Sequence, residues 1–346
     1  MTRTTTDPVA SAAPTLSTLL AAATDALHEH GLEATGIVAA DPVRRTVTAR
    51  VTRRGTRSAL IAKWIAADAP PRTRGAFENE TRFYRDWRPD LPAPEPVSIE
   101  RDVIVLSDAG GRTLRAFLAD TLRRPDAERA TDVRTDLELA FTTIASWTAD
   151  GLARGTAAGP APVDVAALDR RLATVRTALA TGGPDVGTPA AAVGAALERA
   201  TRPGFSAAVA PILGGQPELG AVGWTHAALD AGNVLLTRDG RALLLSFGSW
   251  SPSGSVVVDP VHALATALVM TSSRPGLRAL VRDAAARALA DRSATAHLAT
   301  GIVSLAAALE PVGRQNSGLN RGADSRSVLR ERLSLLRSAV PRGRGR

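Results

Sequence analysis

The sequence predicts an α+β protein in which a small antiparallel sheet with one helix precedes a larger, mainly helical lobe. Apolar residues alternate with a period of two between residues 46 and 65, and helical spacing returns between residues 76 and 87. From Thr113 onward the spacing of apolar residues is mostly helical, with one strand–turn–strand segment. A chain of 346 residues is long enough for two such lobes.

The first lobe is expected to span residues 15–107. It follows a Thr-, Ala- and Pro-rich stretch over residues 1–14, which we interpret as a disordered lead-in. A Gly-containing connection over residues 108–113 is expected to act as a hinge. The predicted elements of the lobe are a helix over Thr15–Gly31, strands over Thr46–Val51 and Ser58–Ile65, a helix over Ala76–Trp87 and a strand over Val103–Leu106.

The second lobe is expected to span residues 114–340, with an Arg/Gly-rich basic tail over residues 341–346. Its hairpin is predicted from Val234–Thr237 and Ala242–Phe247, because the Asp-Gly pair between them favours a tight turn. Its predicted helices are Val163–Ala180, Pro189–Ala200, Pro260–Met270, Leu277–Ala290, Ser293–Leu309 and a core helix marked by Leu137, Phe141 and Ile144.

Composition narrows the class of protein. Cysteine is absent, which removes disulfides and thiolate chemistry and fits a cytoplasmic protein. No run of about 18 apolar residues occurs, so we expect no membrane span. The formal net charge of +8 favours anionic partners such as nucleotides or acidic peptides. The arginines are scattered with few aromatic residues among them, which disfavours nucleic-acid binding.

Lys63 is the only lysine among the 42 basic residues of the chain. A GC-rich coding bias accounts for the preference for arginine, so the position that keeps lysine is informative. A site that needs a compact ammonium group resists replacement by the planar guanidinium of arginine. A surface ion pair would be served equally well by either residue. We therefore single out Lys63 as a candidate binding residue.

One segment of the second lobe carries a motif, Trp-Thr-His-Ala-Ala-Leu-Asp-Ala-Gly-Asn-Val-Leu at residues 224–235. It resembles the catalytic loop of the aminoglycoside phosphotransferase and choline kinase family, usually worded His-Gly-Asp-Leu-His-Pro-Gly-Asn. The match runs through His226, Leu229, Gly232 and Asn233. The hairpin follows at the family's spacing and ends in Ser-Phe-Gly, where the family carries Asp-Phe-Gly or a close relative.

The first lobe carries further parts of the resemblance. Leu-Ile-Ala-Lys at residues 60–63 looks like the third-strand lysine motif, and residues 78–84 resemble the helix that bears its partner glutamate. Glu80 is the preferred partner, with Glu78 as the alternate. Residues 103–111 resemble the strand and hinge over which adenine sits. The motifs occur in the family's order over roughly residues 35–310, which implies a bilobal protein-kinase-like fold.

The resemblance implies roles for the matching residues. In protein kinases a lysine held by a glutamate contacts the nucleotide phosphates, while an asparagine and an aspartate hold Mg²⁺. Lys63, Glu80 and Asn233 therefore match residues that bind ATP, and Asn233 matches a magnesium ligand, a weak one by itself. The sequence leaves two structural alternatives open. Lys63 and Glu80 could form a surface ion pair, and Asn233 could cap the loop before the strand.

Two catalytic positions depart from the family pattern. Ala228 stands where the catalytic aspartate is expected and offers neither charge nor a hydrogen bond. Ser246 replaces the second magnesium aspartate, and a neutral hydroxyl lacks the carboxylate charge that hard cations prefer. Loss of a positioned general base costs about 10²–10⁴ in rate. Asp230, two residues after Ala228, is a candidate substitute, although the family has a histidine there.

Two further residues are expected to support the loop. His226 matches a histidine that braces the catalytic loop, and packing against Phe247 is favoured over acid–base chemistry. Asp259 precedes a proline where the family often has Asp-Pro opening its next helix. We expect Asp259 to cap that helix or brace the loop, in preference to binding metal.

These features predict a catalytically impaired pseudokinase that binds nucleotide, a peptide or a protein partner in a regulatory or scaffolding role. By fold-level analogy alone, the context would be a bacterial natural-product pathway. The alternative is an active ATP-dependent phosphotransferase with rearranged catalysis, using Asp230 or a partner's residue, on a small-molecule or precursor-peptide hydroxyl. A third hypothesis is nucleotidyl transfer. Acidic residues between positions 163 and 220 are too dispersed to predict an aminoglycoside acceptor.

Overall fold

The computed structural model describes residues 14–53, 55–56, 58–154, 222–256, 258–271 and 273–292. The chain divides into two compact units, Met1–Ala109 and Gly110–Arg346. Several predicted segments lie outside the described residues: the lead-in up to residue 13, the helices over 163–180, 189–200 and 293–309, and the tail over 341–346. Among the described helices, none is long and apolar enough to cross a membrane.

The described part of the first unit contains a five-stranded antiparallel sheet and two helices. The small antiparallel sheet confirms the predicted fold class. The strand order is β1-β2-β3-β5-β4. Along the chain the elements are α1 (Leu16–Glu29), β1 (Leu32–Asp41), β2 (Thr46–Arg53), β3 (Leu60–Ile65), α2 (Pro71–Arg85), β4 (Pro96–Ile99) and β5 (Val103–Ser107).

Helix α1 covers one face of this sheet. Thr15 caps the helix by accepting a hydrogen bond from the Thr18 amide. The buried stripe of α1 packs against every second residue of the central strands, which is the pattern that a pleated sheet imposes. The resulting core consists of Leu19, Ala23, Leu27, Leu32, Val47, Ala49, Val51, Leu60, Ala62, Trp64, Ala66, Val103 and Val105.

The intervening residues of β2 and β3 lie on the opposite face of the sheet. Thr48 is opposite Lys63, and Arg50 is opposite Ile61. These four residues define what we call the Lys63 face. The core positions fix this assignment, because successive side chains of a strand point to opposite faces.

Three elements of the first unit differ from the prediction. Strand β1 was not predicted, because most of its residues are exposed and its apolar residues do not alternate. Helix α2 begins at Pro71, five residues before the predicted start, with the proline in its first turn. Proline suits that position because its fixed φ is helical and its missing N–H would have no partner in the helix. Strand β4, which was not predicted, begins at Pro96; a proline is tolerated at the first residue of an edge strand.

The described part of the second unit is mainly helical, as predicted. Helix α4 packs against α6 and β7, and α5 packs against α6. The elements are β6 (Arg112–Thr113), α3 (Leu114–Arg123), α4 (Thr131–Ala153), β7 (Val222–Thr225), β8 (Val234–Leu236), β9 (Ala242–Leu244), β10 (Ser251–Ser255), α5 (Val258–Met270) and α6 (Pro275–Arg292), with short 3₁₀ turns at Ala127–Arg129 and Phe247–Ser249.

The predicted hairpin is present as β8 and β9, which pair antiparallel, and β6 adds a third strand. Its second strand ends at Leu244, three residues before the predicted end, because Ser246 adopts a left-handed conformation with φ of 66°. Strands β7 and β10 form a separate two-stranded sheet that we had not predicted. Their short, Gly- and Ser-containing sequences lack the alternation that marks a strand.

Helix α4 meets β7 backbone to backbone at two glycines. A Cβ atom on Gly151 would overlap the carbonyl oxygen of Trp224, and one on Gly223 would overlap that of Gly151. The close approach places the strand that leads into His226 directly on α4. Any larger residue at either position would push the two elements apart.

Candidate functional site

Lys63 and Glu80 form an ion pair in the first unit. The Nζ atom of Lys63, on β3, lies 2.5 Å from Oε1 of Glu80, on α2. The Lys63 side chain is 20% exposed and the Glu80 side chain 8%. The pair is therefore not a solvated surface contact, and the partner is the glutamate that the sequence favoured over Glu78.

The surroundings of Glu80 keep its carboxylate in place. Phe77, Phe83 and Tyr84 of α2 are buried with it. Burial raises the pKa of the Tyr84 phenol well above its usual range, and the Glu80 carboxylate adds to the shift. Lys63 thus holds its ammonium group against a fixed partner at the edge of an apolar core.

Two backbone amides in the turn between β1 and β2 donate hydrogen bonds to the side chain of Asp41, which ends β1. The Asp41 carboxylate accepts hydrogen bonds from the amides of Val43 and Arg44, at 3.0 Å each. Arg45 has φ of 57° and reaches the Asp68 carbonyl oxygen at 3.0 Å. A protein kinase covers the nucleotide phosphates with a glycine-rich loop. Here those two amides are already taken by a carboxylate.

His226 holds the beginning of the loop over residues 226–233, which we call the 226–233 loop. Its Nε2 donates to the Leu245 carbonyl oxygen at 2.6 Å, and its Nδ1 accepts from the Ala228 amide at 3.4 Å. These two bonds require the neutral ring with the proton on Nε2. The ring also packs on Phe247 with a centroid distance of 4.8 Å, as predicted.

Asp259 braces the same loop from the first turn of α5. Its carboxylate accepts from the backbone nitrogen of His226 at 2.6 Å, from that of Ala227 at 2.8 Å and from Trp147 Nε1 at 2.8 Å. The residue is fully buried. Three donors and the N-terminal end of a helix compensate the buried charge, so both carboxylate oxygens are used structurally.

Two non-glycine residues of the site hold left-handed backbone conformations. Ala227 has φ of 59° and Ser246 has φ of 66°. Such conformations cost roughly 1–2 kcal/mol for a residue with a Cβ, and Asn and Asp tolerate them best. The family's usual loop has glycine at the position of Ala227 and aspartate at that of Ser246. Neither alanine nor serine is well suited to the backbone conformation that it adopts here.

Asn233 is tied into the loop. Its Nδ2 donates to the Ala228 carbonyl oxygen at 2.9 Å, and its backbone accepts from the Leu245 amide at 2.8 Å. Its carbonyl oxygen Oδ1 is then the side-chain atom that could face a metal ion. Neither this oxygen nor the Ser246 hydroxyl carries a charge, and Mg²⁺ is usually bound through one or two carboxylates, so these two residues alone do not fit the ion. Within the described ranges, no group of three or more His, Asp or Glu residues is placed to hold a metal ion.

Asp230 is engaged in structural contacts. Its Oδ2 lies 2.9 Å from Nη2 of Arg115 on α3, and its Oδ1 accepts from the Gly232 amide at 2.6 Å. The Arg115 amide donates in turn to the Ala231 carbonyl oxygen at 2.7 Å. A carboxylate held by a guanidinium and an amide is poorly placed to act as a general base, which weighs against Asp230 as a substitute for Ala228.

Sequence reasoning missed two residues that shape the loop, Trp147 and Arg115. Each belongs to a helix far from the loop in the chain, at separations of 112 and 115 residues from its partner. The signal for Trp147 was a large aromatic residue on the stripe of α4. Nothing local marked Arg115 among the many arginines.

Comparison with known proteins gives a result at the level of the fold. No protein-family model matches the chain, and no curated protein matches it in sequence. Its structure is similar to an aminoglycoside phosphotransferase from Alicyclobacillus acidocaldarius, with 14% identity, a TM-score of 0.51 and coverage of 88% of this chain and 91% of that one.

Two other solved structures resemble the chain less closely. A macrolide 2′-phosphotransferase of type I has 14% identity and a TM-score of 0.49, covering 91% of this chain and 96% of that one. A choline kinase from Streptococcus pneumoniae has 10% identity and a TM-score of 0.46, covering 93% and 99%. The likeness to the Alicyclobacillus structure, together with the antiparallel sheet and helices described above, confirms the predicted fold: the chain has the α+β protein-kinase-like fold of aminoglycoside phosphotransferases.

Proposed function

We propose that the protein is a pseudokinase that binds a nucleotide through Lys63 and does not turn it over at an ordinary rate. The observation that carries the proposal is the Lys63–Glu80 ion pair at 2.5 Å, kept in a chain that has Ala228 and Ser246 in place of both catalytic acids. Its role would be regulatory or scaffolding, toward a peptide or protein partner. A cytoplasmic, natural-product setting is part of the proposal by analogy only.

Nucleotide binding rests on the chemistry of Lys63. An ammonium group that is one-fifth exposed and held by a buried carboxylate is oriented before any ligand arrives. Preorganisation of this kind lowers the entropic cost of binding. Phosphate oxygens accept charge-assisted hydrogen bonds from an ammonium, which are about twice as strong as neutral ones. ATP fits this requirement.

Impaired transfer rests on the missing carboxylates. Phosphoryl transfer depends on positioning and on neutralising the developing charge, which Mg²⁺ normally supplies. Asn233 and Ser246 bring no charge to such an ion, and Ala228 cannot orient an acceptor hydroxyl. Binding without strong dependence on magnesium is the expected consequence.

Transfer through Asp230 is the competing proposal. The contacts of Asp230 with Arg115 and Gly232 argue against it, because the carboxylate would have to leave both partners to reach a substrate hydroxyl. We therefore retain the pseudokinase as the proposed function. The partner is proposed to be acidic, since the chain carries a net charge of +8.

The sole lysine allows a test on the unmodified protein. Amine-reactive acylation can modify Lys63 and the N-terminal α-amine, and mass spectrometry separates the two peptides. We expect ATP to protect Lys63 and leave the α-amine unprotected. Equal labelling of Lys63 with and without saturating ATP would contradict nucleotide binding at this residue.

Calorimetry then tests the affinity and its dependence on magnesium. Lys63→Ala should weaken ATP binding at least tenfold, because a charge-assisted hydrogen bond contributes about 1.5–3 kcal/mol. Arg53→Ala is the matched control, since it removes one positive charge from the exposed end of β2. Magnesium should change the affinity of the wild type little. Strong magnesium dependence combined with phosphate release would instead favour the active phosphotransferase.

A further inference from the structure

The Lys63 face of the sheet is open to solvent toward one end. Ile65, at the end of β3 beyond Lys63, is buried at 3% exposure. In the other direction Ile61 is half-buried and Arg50 is exposed. A ligand with a phosphate at Lys63 can therefore extend along β3 only toward Ile61 and Arg50.

Arg50 is held at that end by an ion pair. Its Nε lies 3.2 Å from Oδ2 of Asp108, the residue that follows β5. The Arg50 side chain is 56% exposed and that of Asp108 14%. The carboxylate contacts Nε, which lies in the plane of the guanidinium group, and more than half of the side chain stays exposed.

We propose that Arg50 is the base-stacking residue of the nucleotide site, with its guanidinium plane forming the platform for a purine ring. The inference rests on the proposed function, because it assumes that the phosphates of the nucleotide lie at Lys63. It assigns the ligand class as purine nucleoside phosphates.

The positions of the two cations suit a nucleotide. Arg50 is the cross-strand neighbour of Ile61, two residues along β3 from Lys63. This diagonal separation corresponds to about 7–8 Å between the backbone positions. Both side chains are long and lie on one face, and the sugar of a nucleotide separates its phosphates from its base by a comparable span. Ile61 lies between them as an apolar surface for the sugar.

The chemistry of arginine favours a stacked ring at this position. A guanidinium attracts an aromatic face by about 0.5–1 kcal/mol at exposed sites, and it stacks where lysine cannot. Asp108 restrains the rotamer of Arg50, which lowers the entropy lost when the ring arrives. Stacking tolerates any purine, so ATP and GTP should bind similarly with respect to Arg50.

The test compares ATP with inorganic triphosphate, which has the phosphates but no base. Affinities of both are measured for wild type, Arg50→Ala, Arg50→Lys, Lys63→Ala and Arg53→Ala, with thermal unfolding as a check on folding. Arg53 lies on the same strand but on the opposite face, so Arg53→Ala corrects for the loss of one charge.

Relative to Arg53→Ala, we expect Arg50→Ala to weaken ATP about two- to fivefold and to leave inorganic triphosphate unchanged. Arg50→Lys should weaken ATP binding by nearly as much, because lysine keeps the positive charge but has no planar group on which a ring can stack. Lys63→Ala should weaken both ligands. Equal weakening of both ligands by Arg50→Ala, or no effect on either, would overturn the base platform while leaving Lys63 as the phosphate contact. Absence of ATP binding to the wild type would overturn the proposed function itself.

Discussion

The Asp259 carboxylate lies 2.6 Å from the backbone nitrogen of His226, 33 residues earlier in the chain. This contact helps to fix the shape of the 226–233 loop, in a chain that has Ala228 and Ser246 at the two positions where the sequence resemblance implies acids. The loop is held by Asp259, by Trp147 through Asp259, and by the two ring nitrogens of His226. None of these bonds involves the side chain of Ala228 or Ser246.

Removing the Asp259 carboxylate should destabilise the second unit strongly. Asp259→Ala removes the printed acceptor of the His226 amide and of the Trp147 indole N–H, at about 1–3 kcal/mol each when buried, and leaves the Ala227 amide with Thr225 Oγ1 as its acceptor. We expect a loss of at least about 3 kcal/mol in the free energy of unfolding, measured by urea denaturation. Trp147→Phe is the control that removes one of the three bonds, with an expected loss of about 1–2 kcal/mol. Equal losses for the two variants would show that the backbone bonds contribute little.

Ala227→Gly should stabilise the protein or leave it unchanged, against the usual direction of this substitution. Relief of the left-handed conformation at φ of 59° contributes about 1–2 kcal/mol. The greater freedom of glycine in the unfolded chain offsets about 0.4–1 kcal/mol of this. Ala22→Gly, on the exposed side of α1, should instead destabilise by about 1 kcal/mol. A loss at Ala227 as large as that at Ala22 would contradict the strain argument.

Gly151→Ala should disrupt the contact between α4 and β7. The added Cβ would overlap the Trp224 carbonyl oxygen, and overpacking of this kind costs about 1–3 kcal/mol or more. Gly75→Ala is the matched control, because Gly75 lies in α2 with open space around its Cβ position. That variant should gain about 1 kcal/mol from helix propensity. Thermal unfolding midpoints that move in opposite directions would bear out both expectations.

Asp230→Ala distinguishes a structural role of Asp230 from a catalytic one. If the role of Asp230 is structural, Asp230→Ala should lower the free energy of unfolding by about 1–2 kcal/mol. The loss is limited because its partner Arg115 is about one-third exposed. The affinity for ATP should stay the same. Asp136→Ala, which removes the exposed partner of Arg112, should cost less than about 1 kcal/mol. Any phosphate-transfer activity of the wild type that Asp230→Ala abolishes would support rearranged catalysis.

Restoring both acids should restore metal binding. In the variant Ala228→Asp with Ser246→Asp, the carboxylate at position 246 would occupy a left-handed backbone that aspartate tolerates better than serine. We expect Mg²⁺ to strengthen ATP binding at least about tenfold in this variant and little in the wild type, measured by calorimetry. Ala228→Asn with Ser246→Asn is the uncharged control. A wild type with the same magnesium dependence as the restored variant would contradict the pseudokinase proposal.

Periodicity in the sequence was sufficient for the larger elements. The alternation along β2 and β3, the short apolar run of β5, the stripes of α1 and α4, and the turn signal between β8 and β9 each predicted an element that the structure contains. These patterns arise because burial on one side imposes the repeat of the element on its own sequence. The strands that these patterns did not reveal are β1, which is exposed over most of its length, and the short strands β4, β6, β7 and β10.

For the candidate site, the sequence alone determined which chemical groups are present: one lysine at position 63, glutamates at positions 78 and 80, and no acid at positions 228 and 246. Which glutamate pairs with Lys63 was decided by the packing of α2 against β3. The tertiary structure decided what Asp230, Asp259 and Arg50 contact. Their partners lie 115, 33 and 58 residues away along the chain. A hydrogen bond between such distant residues leaves no repeat in the sequence, because its geometry depends on how whole helices and strands pack and not on the residues beside it.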